Sequence, residues 1–274
     1  MNVIDLLKKY DIRPKKAFGQ NFLHAMPTLE KIVVAMDLTP DDVVIEVGAG
    51  LGVMTSLIAE RAKHVTALEI DKNLFEIAKS EFGQLDNIEW VNGDALKLIP
   101  LLCRGGKFKI VGNIPYEITS PLLFQLLDHA ETLSTSTLLM QKEVAARITA
   151  KPNTKDYGIL SVVLQAHASC RKRFDVSPQN FFPPPKVMSS VIGLNFEQPM
   201  LPLKDAPFFR SVVRAAFGKR RKTLRNALLG SSLGVDEQQL DHALAASALD
   251  GGRRPETLTP AEYFSLATSL KSLL

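Results

Sequence analysis

The fold is decided by the stretch Val43-Val-Ile-Glu-Val-Gly-Ala-Gly-Leu-Gly52. Its five residues rich in β-branched side chains predict a buried strand, and the three glycines predict a tight turn before a helix over 53–62. Glycine accepts positive φ and leaves room for a ligand, and the start of a helix presents unpaired N–H groups. The stretch therefore predicts a nucleotide-type binding site in an α/β fold.

The glycine spacing resembles the first motif of S-adenosylmethionine-dependent methyltransferases. It reads G-x-G-x-G, one residue shorter than the dinucleotide pattern G-x-G-x-x-G, and the acidic residue Glu46 stands two positions before the first glycine. Gly48, Gly50 and Glu46 are therefore candidate cofactor-binding residues. Taken alone, the same residues also fit a tight connection between a strand and a helix that binds no ligand.

Acidic residues lie at the ends of the next two predicted strands, at the edge where open α/β sheets bind ligands. The second predicted strand, 64–70, carries Glu69 near its end, and a carboxylate in this place accepts hydrogen bonds from ribose hydroxyls. Asp71 competes for this role, although it fits better as the cap of the following helix. After the third strand, Asp94 and the backbone of Ala95 suit an adenine ring, with an Asx turn or a helix cap as the alternative.

The N-terminal segment Phe18-Gly-Gln-Asn-Phe-Leu23 combines a glycine and two amides between aromatic residues. Side-chain amides donate and accept hydrogen bonds at once, which suits the amino-acid end of a zwitterionic ligand. We expect Gln20, Asn21 and Leu23 to contribute to the cofactor site. An arm that only caps the domain is the alternative.

The most diagnostic stretch is Asn113-Ile-Pro-Tyr116, at the end of the fourth predicted strand. It matches the [ND]-[ILP]-P-[YF] pattern of amino-methyltransferases. The exocyclic amine of adenine is a poor nucleophile because its lone pair is delocalised into the ring. The Asn113 oxygen and the Ile114 carbonyl, freed by rigid Pro115, can hold both amine hydrogens, and Tyr116 can stack on the base. An ordinary turn at a strand end is the alternative.

A second aromatic wall is predicted from the stretch Asn180-Phe-Phe-Pro-Pro-Pro-Lys186. Three consecutive prolines fix φ and make a stiff loop that can hold Phe181 or Phe182 in place. Enzymes that modify a base take it out of its stack or use an unpaired base. We therefore expect Phe181 to line a pocket for an extruded adenine, with a hydrophobic plug under the loop as the alternative.

The last part of the chain predicts a small helical domain after a proline-containing linker at 199–207. Helices are predicted over about 208–217, 220–229, 236–247 and 260–272. Five cations that open the second helix are candidate RNA-binding residues: Lys219, Arg220, Arg221, Lys222 and Arg225. Guanidinium groups suit phosphates, so we expect a cleft between the two domains to hold an RNA backbone. A solvated helix face is the alternative.

Composition excludes several classes of protein. The chain has 274 residues, 46% of them hydrophobic, which is ample for a core. Cys103 and Cys170 are far apart, so neither a disulfide framework nor a zinc site is predicted, and no apolar run approaches a membrane span. Residues 1–203 carry 22 Lys and Arg against 22 Asp and Glu, whereas residues 204–274 carry 11 against 7. We expect a soluble cytoplasmic protein whose basic part suits an anionic polymer.

The chain resembles the ribosomal RNA adenine dimethyltransferase family from about Arg13 to its end. The resemblance rests on the three motifs above together with Gln-Lys-Glu-Val-Ala, Tyr157-Gly-x-Leu-Ser-Val162 and Phe-x-Pro-x-Pro-x-Val. Two tail motifs, Arg220-Arg-Lys-Thr-Leu-Arg-Asn226 and Arg253-Arg-Pro-Glu-Thr-Leu258, are similar to the small-subunit members, which dimethylate two adjacent adenosines near the 3′ end of that RNA. Ile114 departs from this pattern, since the small-subunit enzymes usually have leucine there.

The resemblance implies a two-domain enzyme. Residues 1–200 would form a class I, Rossmann-like methyltransferase domain with a mostly parallel sheet, helices on both faces and one antiparallel strand at its edge, and 201–274 a helical RNA-docking domain. Its cofactor would be S-adenosylmethionine, with no metal, and a monomer would act on small-subunit ribosomal RNA in the small ribosomal subunit precursor. By the family's pattern the cofactor site would include Asn21, Leu23, Gly48, Glu69, Asp94 and Asn113.

Other functions stay open on the sequence alone. The same fold could serve as a ribosome-assembly binding factor for which methylation is dispensable, or as a methyltransferase of the macrolide-resistance type acting on large-subunit RNA. DNA adenine methylation fits the chemistry equally well. A nicotinamide-dependent dehydrogenase is disfavoured by the glycine spacing and by the Asn-Ile-Pro-Tyr stretch.

Overall fold

Two compact units make up the chain. The computed structural model describes residues 2–15, 18–103, 106–199, 201–202, 206–219 and 221–274. By packing, the first unit comprises Met1–Ala145 and Arg171–Glu197, and the second comprises Ala146–Cys170 and Gln198–Leu274. We call them the sheet unit and the helical unit.

Nine strands form within the described residues. In chain order they are β1 (Phe22–Leu23), β2 (Val43–Val47), β3 (His64–Glu69), β4 (Ile88–Asn92), β5 (Phe108–Asn113), β6 (Leu133–Gln141), β7 (Ser169–Val176), β8 (Phe181–Phe182) and β9 (Ser189–Asn195). Seven of them form one sheet in the order β4-β3-β2-β5-β6-β9-β7, and β1 pairs with β8 in a separate small ribbon.

Twelve α-helices occur in the same part of the chain. They are α1 (Val3–Lys9), α2 (Met26–Ala35), α3 (Val53–Ala59), α4 (Lys72–Phe82), α5 (Ala95–Leu102), α6 (Thr119–Asp128), α7 (Lys142–Thr149), α8 (Ile159–His167), α9 (Ala206–Phe217), α10 (Leu224–Leu229), α11 (Glu237–Ala246) and α12 (Pro260–Lys271). None of these helices has the length and apolar character that crossing a membrane requires.

The large sheet is mostly parallel, as predicted. Strand β2 pairs in parallel with both β3 and β5. Strand β3 also pairs in parallel with β4, and β5 with β6. Strand β9, in contrast, runs antiparallel to β6. Both faces of a parallel sheet are covered, so its central strands are mostly apolar. Ile45, Val65, Ala67 and Ile110 are accordingly buried.

The edge of the sheet differs from the prediction. We expected a single antiparallel strand there, but β9 is the second strand from the edge and β7 forms the edge itself. Residues Arg171-Lys-Arg173 in the middle of β7 are all exposed. Because an edge strand is solvated on more than one side, its sequence loses the alternation that predicts a strand.

The helical unit begins earlier than the linker at 199–207. Helix α8 is apolar along most of its length, with Leu160, Val163 and Leu164 buried, and it packs against α9 and α12. The Tyr157 hydroxyl donates a 2.8 Å hydrogen bond to the Leu258 carbonyl. Residues 146–170 therefore group with the C-terminal helices, so a single boundary at 200/201 does not describe the packing.

The glycine turn yields a prediction about stability. Gly52 has φ of +81°, and a Cβ on it would lie 2.8 Å from ring atoms of both Phe82 and Trp90. Gly52→Ala combines a left-handed backbone with overpacking and should lower the free energy of unfolding by about 2–4 kcal/mol. Urea unfolding of the full chain, followed by the fluorescence of Trp90, the chain's one tryptophan, measures the loss.

Gly50→Ala is the matched control. Gly50 also has positive φ, +59°, but its added Cβ would only approach the Phe22 ring at 3.9 Å. The free energy of unfolding of this variant should fall only by the cost of the left-handed backbone conformation, about 1 kcal/mol. Equal losses in the two variants would contradict the packing argument.

Candidate active site

One cavity of about 410 Å³ lies at the carboxyl ends of the parallel strands, and every residue that lines it belongs to the sheet unit. All predicted cofactor-binding and base-positioning residues line this cavity: Gln20, Asn21, Leu23, Glu46, Gly48, Gly50, Glu69, Asp94, Ala95, Asn113, Ile114, Pro115, Tyr116 and Phe181. The structure thus brings together residues that are up to 161 positions apart, from Gln20 to Phe181.

The glycine turn is built by left-handed residues. Gly48, Gly50 and Gly52 all have positive φ, which favours glycine strongly. The backbone N–H groups of Gly48 and Ala49 both donate to the Leu68 carbonyl, at 2.9 and 3.0 Å. A Cβ on Gly48 would come within 3.4 Å of the Asn113 carbonyl oxygen, so the turn packs closely against the Asn-Ile-Pro-Tyr stretch.

Glu69 is held by backbone groups on both carboxylate oxygens. One oxygen accepts from the N–H of Gly50 at 2.8 Å, and the other accepts from the N–H of Asp71 at 2.9 Å. The side chain is buried, and burial raises the pKa of Glu69 although these hydrogen bonds oppose the shift. Each oxygen keeps further acceptor capacity, which is what a pair of ribose hydroxyls requires.

Glu46 is a buried acid without a hydrogen-bond donor among the described residues. It is 0% exposed, and neither of its carboxylate oxygens accepts a hydrogen bond within this part of the chain. Burial raises the pKa of Glu46 to about 7, opposed by the neighbouring Thr55 hydroxyl and reinforced by the Glu69 carboxylate. An unpaired buried carboxyl group is costly, so a positive charge placed in the cavity would favour its ionised form.

Asp94 combines its structural and its candidate functional role. Its side chain caps α5 by accepting from the Leu96 N–H at 3.0 Å. This is the helix-cap alternative stated above, yet Asp94 and Ala95 also line the cavity. One carboxylate can do both because each oxygen accepts more than one hydrogen bond.

The N-terminal segment is fastened at the tip of β3. Lys15 pairs with Asp71 at 2.9 Å, and the Gln20 side chain donates to the same carboxylate at 3.0 Å. The side-chain oxygen of Gln20, Oε1, in turn accepts a hydrogen bond from the backbone N–H of Lys15 at 2.8 Å. Although burial opposes the shift, these partners lower the pKa of Asp71, which also caps α4 through the Asn73 N–H.

These contacts change the interpretation of Gln20. Both ends of its amide are engaged within the protein, so it fastens the segment, and the contact with Asp71 was not predicted from the sequence. The Asn21 side-chain amide donates to the nearby Gly19 carbonyl at 3.0 Å. Leu23 is buried.

Asn113 has a defined orientation. Its Nδ2 donates to the Asn21 carbonyl at 3.2 Å, so Oδ1 is the atom left for a ligand. The Ile114 N–H is used by the Leu139 carbonyl at 3.0 Å. The Ile114 carbonyl accepts no backbone bond in the described part of the chain, so Asn113 and Ile114 each keep an acceptor oxygen at the end of β5.

Two aromatic rings contribute to the same cavity. Tyr116 is held through its hydroxyl, which lies 3.2 Å from the Ser189 hydroxyl. Phe181 is 3% exposed, and β8 holds it in register with Leu23 of β1.

Glu117 and Ile70 also line the cavity, although they were not predicted from the sequence. Each directly follows a predicted residue, Tyr116 or Glu69, and this proximity was the available signal.

The predicted RNA-binding residues lie in the helical unit. Lys219, Arg221 and Lys222 are exposed, and Arg220 lies outside the described residues. Arg225 differs, since its guanidinium forms two hydrogen bonds with Asp241, at 2.7 and 3.0 Å. Because this ion pair engages Arg225 inside the unit, its geometry favours a structural role over a phosphate contact.

The second helix also begins later than predicted. Helix α10 starts at Leu224 because the Thr223 hydroxyl caps it through the Asn226 N–H. Arg221 just before this cap has φ of +69°. The exposed cations Lys219, Arg221 and Lys222 therefore lie in the turn between α9 and α10.

The sheet order, the glycine turn and the acidic strand ends define a class I S-adenosylmethionine-dependent methyltransferase fold. Residues 12–271 match the family described as Ribosomal RNA adenine dimethylase. The chain therefore belongs to the ribosomal RNA adenine dimethylase family. Its Asn-Ile-Pro-Tyr stretch and every residue that lines the cavity except Val3 lie within the matched residues.

Relatives in sequence cover nearly the whole chain. A Ribosomal RNA small subunit methyltransferase A from Alkaliphilus oremlandii is 41% identical over an aligned length of 276 residues, and the alignment covers 98% of this chain and 96% of that protein. The protein of the same name from Geobacter metallireducens is 40% identical over 267 residues, covering 96% of this chain and 97% of that protein.

Solved structures share the fold at lower identity. A dimethyladenosine transferase from Plasmodium falciparum superposes with a TM-score of 0.79 at 26% identity, covering 92% of this chain and 98% of that chain. The 23S rRNA methyltransferase ErmE superposes with a TM-score of 0.71 at 29% identity, covering 92% of this chain and 100% of that chain.

The buried Glu46 yields a pH prediction. Its pKa in the folded chain, about 7, lies above the ordinary value of 4.5, so the folded chain binds more protons between these values and stability falls as pH rises through them. Glu46→Gln cannot ionise. It should match the wild type near pH 4.5 and exceed its free energy of unfolding by up to about 3 kcal/mol at pH 8, measured by urea unfolding without cofactor.

Glu76→Gln is the control for this measurement, because Glu76 lies on the exposed side of α4. It should leave the pH profile of the wild type unchanged. A Glu46→Gln profile that runs parallel to the wild type across this range would show that folding does not shift the pKa of Glu46.

Proposed function

We propose that this protein transfers methyl groups from S-adenosylmethionine to the exocyclic amines of two adjacent adenosines near the 3′ end of small-subunit ribosomal RNA, giving dimethyladenosine during small-subunit biogenesis. The observation that carries the proposal is the orientation of Asn113. Its Nδ2 donates to the Asn21 carbonyl, which leaves Oδ1 as an acceptor, and Asn113 and Ile114 line the same cavity as Glu69 and Gly48.

The residues of the cavity fit S-adenosylmethionine. Its volume, about 410 Å³, is in the range of small-molecule sites. Glu69 has two oriented carboxylate oxygens for the ribose hydroxyls, and Asp94 with the Ala95 backbone suits the adenine. Glu46 has unsatisfied carboxylate oxygens, so a cation nearby would offset the cost of its burial.

When bound, the cofactor supplies an activated methyl group, so the protein's task is orientation. Asn113 Oδ1 and the Ile114 carbonyl accept the two hydrogens of the adenine amine. Both hydrogens are then held, and the nitrogen lone pair is directed away from the ring system. Tyr116 and Phe181 enclose the base by stacking. The pocket must leave room for the first methyl group, because each amine is methylated twice.

RNA docking is assigned to the turn between α9 and α10. Lys219, Arg221 and Lys222 are exposed there, and we include Arg220 from the sequence pattern. Arg225, tied to Asp241, positions the start of α10. We propose a monomer that acts in the cytoplasm on the precursor of the small ribosomal subunit.

Large-subunit RNA is the second candidate substrate, because the structure of ErmE resembles this chain at 29% identity. The small-subunit methyltransferases are about 40% identical over almost the full chain, which favours the small subunit. Incubation with radiolabelled S-adenosylmethionine and undermethylated small subunits, large subunits or duplex DNA, followed by nucleoside analysis, separates the candidates. Dimethyladenosine from small subunits alone supports the proposal, and label elsewhere or nowhere contradicts it.

Asn113→Ala tests the base-positioning assignment. Removing one of two acceptors should lower the rate of methyl transfer at least about 100-fold, while the unfolding transition stays in place and cofactor affinity falls less than tenfold. Single-turnover methylation and titration with S-adenosylhomocysteine measure the two effects.

Asn195→Ala serves as the control, since Asn195 lies at the end of β9, outside the cavity lining, and its side chain accepts from the Glu197 N–H. It should methylate at the wild-type rate. Wild-type rates in Asn113→Ala would remove the assignment.

A further inference from the structure

Exposed apolar side chains concentrate in one loop of the sheet unit. Of the large apolar side chains that are exposed in the described residues, three lie within seven positions: Phe182 (43% exposed), Val187 (46%) and Met188 (37%). Scattered exposed apolar residues are normal, but a cluster indicates a binding surface. We call these three side chains the apolar loop face.

Phe182 belongs to the same two-residue strand as the pocket wall. In β8, Phe181 pairs with Leu23 and Phe182 pairs with Phe22 of β1. Successive side chains of a strand point to opposite faces. Phe181 accordingly faces the cavity and is buried, whereas Phe182 is turned outward.

The backbone at Phe182 is held in place by contacts within the protein. The pairing with β1 holds the backbone of Phe182. Two residues earlier, the Asn180 carbonyl accepts from the His24 N–H at 2.9 Å, and the Asn180 side-chain oxygen accepts from the Thr28 hydroxyl at 2.7 Å. Three prolines, 183–185, follow it and restrict the chain further. A preorganised aromatic side chain loses little entropy on binding.

Cations surround the apolar loop face. Lys186 is exposed within it. The Lys142 N–H donates to the Met188 carbonyl at 2.9 Å, which places the first residue of α7 next to this face. Lys142 and Lys172 share one carboxylate, Asp175, at 2.8 and 3.2 Å, so the local charge is positive.

We propose that the apolar loop face binds the nucleotide next to the target adenosine, with its base stacked on Phe182 and its phosphates near Lys186 and Lys142. An aromatic side chain flanked by cations is how proteins hold unpaired nucleotides. The face adjoins the candidate base pocket, because Ser189 follows Met188 and contacts Tyr116. This inference rests on the proposed function, in which two adjacent adenosines are substrates: one base occupies the pocket while its neighbour stacks on Phe182.

The test compares Phe182→Ala, Phe182→Leu and Phe182→Trp with the wild type. RNA affinity is measured on a labelled single-stranded RNA with two adjacent adenosines in the presence of S-adenosylhomocysteine, and kcat/KM is measured on undermethylated small subunits. Loss of stacking should weaken RNA binding and lower kcat/KM by about tenfold in the Ala and Leu variants. The Trp variant should keep both values, and cofactor affinity should stay unchanged in all three.

Val34→Ala is the matched control, because Val34 is an exposed apolar residue (70%) on α2 outside the cavity lining. Wild-type values in Phe182→Ala, or full activity in Phe182→Leu, would overturn the stacking assignment while leaving the methyltransferase function standing. A wild type that binds RNA through Phe182 but methylates no subunit would contradict the proposed function and support the binding surface. Absence of RNA binding by the wild type would overturn this inference as well.

Discussion

The hydrogen bonds that Glu69 accepts from the backbone of Gly50 and Asp71 hold the candidate site together. They tie the glycine turn after β2 to the end of β3. A buried carboxylate is stable only with such donors, and Gly50 can present its N–H there because glycine accepts positive φ. Asp71, whose N–H completes the arrangement, anchors Lys15 and Gln20 through its own side chain. Two neighbouring carboxylates, Glu69 and Asp71, thus link the turn, the strand end and the N-terminal segment.

Two neighbouring acids in this site have different environments. Glu69 accepts two backbone hydrogen bonds, whereas Glu46 accepts none within the described residues, and burial raises the pKa of Glu46 to about 7. A folded protein keeps such a group only at a cost in stability. The cost is consistent with a site designed for a cationic ligand, since a positive charge in the cavity would stabilise both carboxylates.

The sequence predicted the parts of the site that local chemistry determines. The glycine turn, the acids at the strand ends and Asn-Ile-Pro-Tyr each depend on a few adjacent residues, and all of them line one cavity. The sequence could not show which partner each polar side chain would choose. Gln20 binds Asp71 across 51 positions and Arg225 binds Asp241 across 16, and such choices depend on tertiary distance. Strand β7 was not predicted, because its exposed cations Arg171-Lys-Arg173 interrupt the alternation of apolar and polar residues that is typical of a strand. Helix α8 belongs to the helical unit because of its packing, which the composition of the linker does not indicate.

The alternation of side chains along a strand determines how β8 presents its two phenylalanines. Because side chains alternate along a strand, two consecutive phenylalanines cannot both face the cavity: Phe181 is buried and Phe182 is exposed. The pairing of β8 with β1 fixes this choice of face, and β1 directly follows Asn21, whose carbonyl orients Asn113. A shift of β8 by one residue in this pairing would exchange the faces of the two phenylalanines. The orientation of the amide acceptor and the presentation of both aromatic rings therefore depend on the same four-residue ribbon.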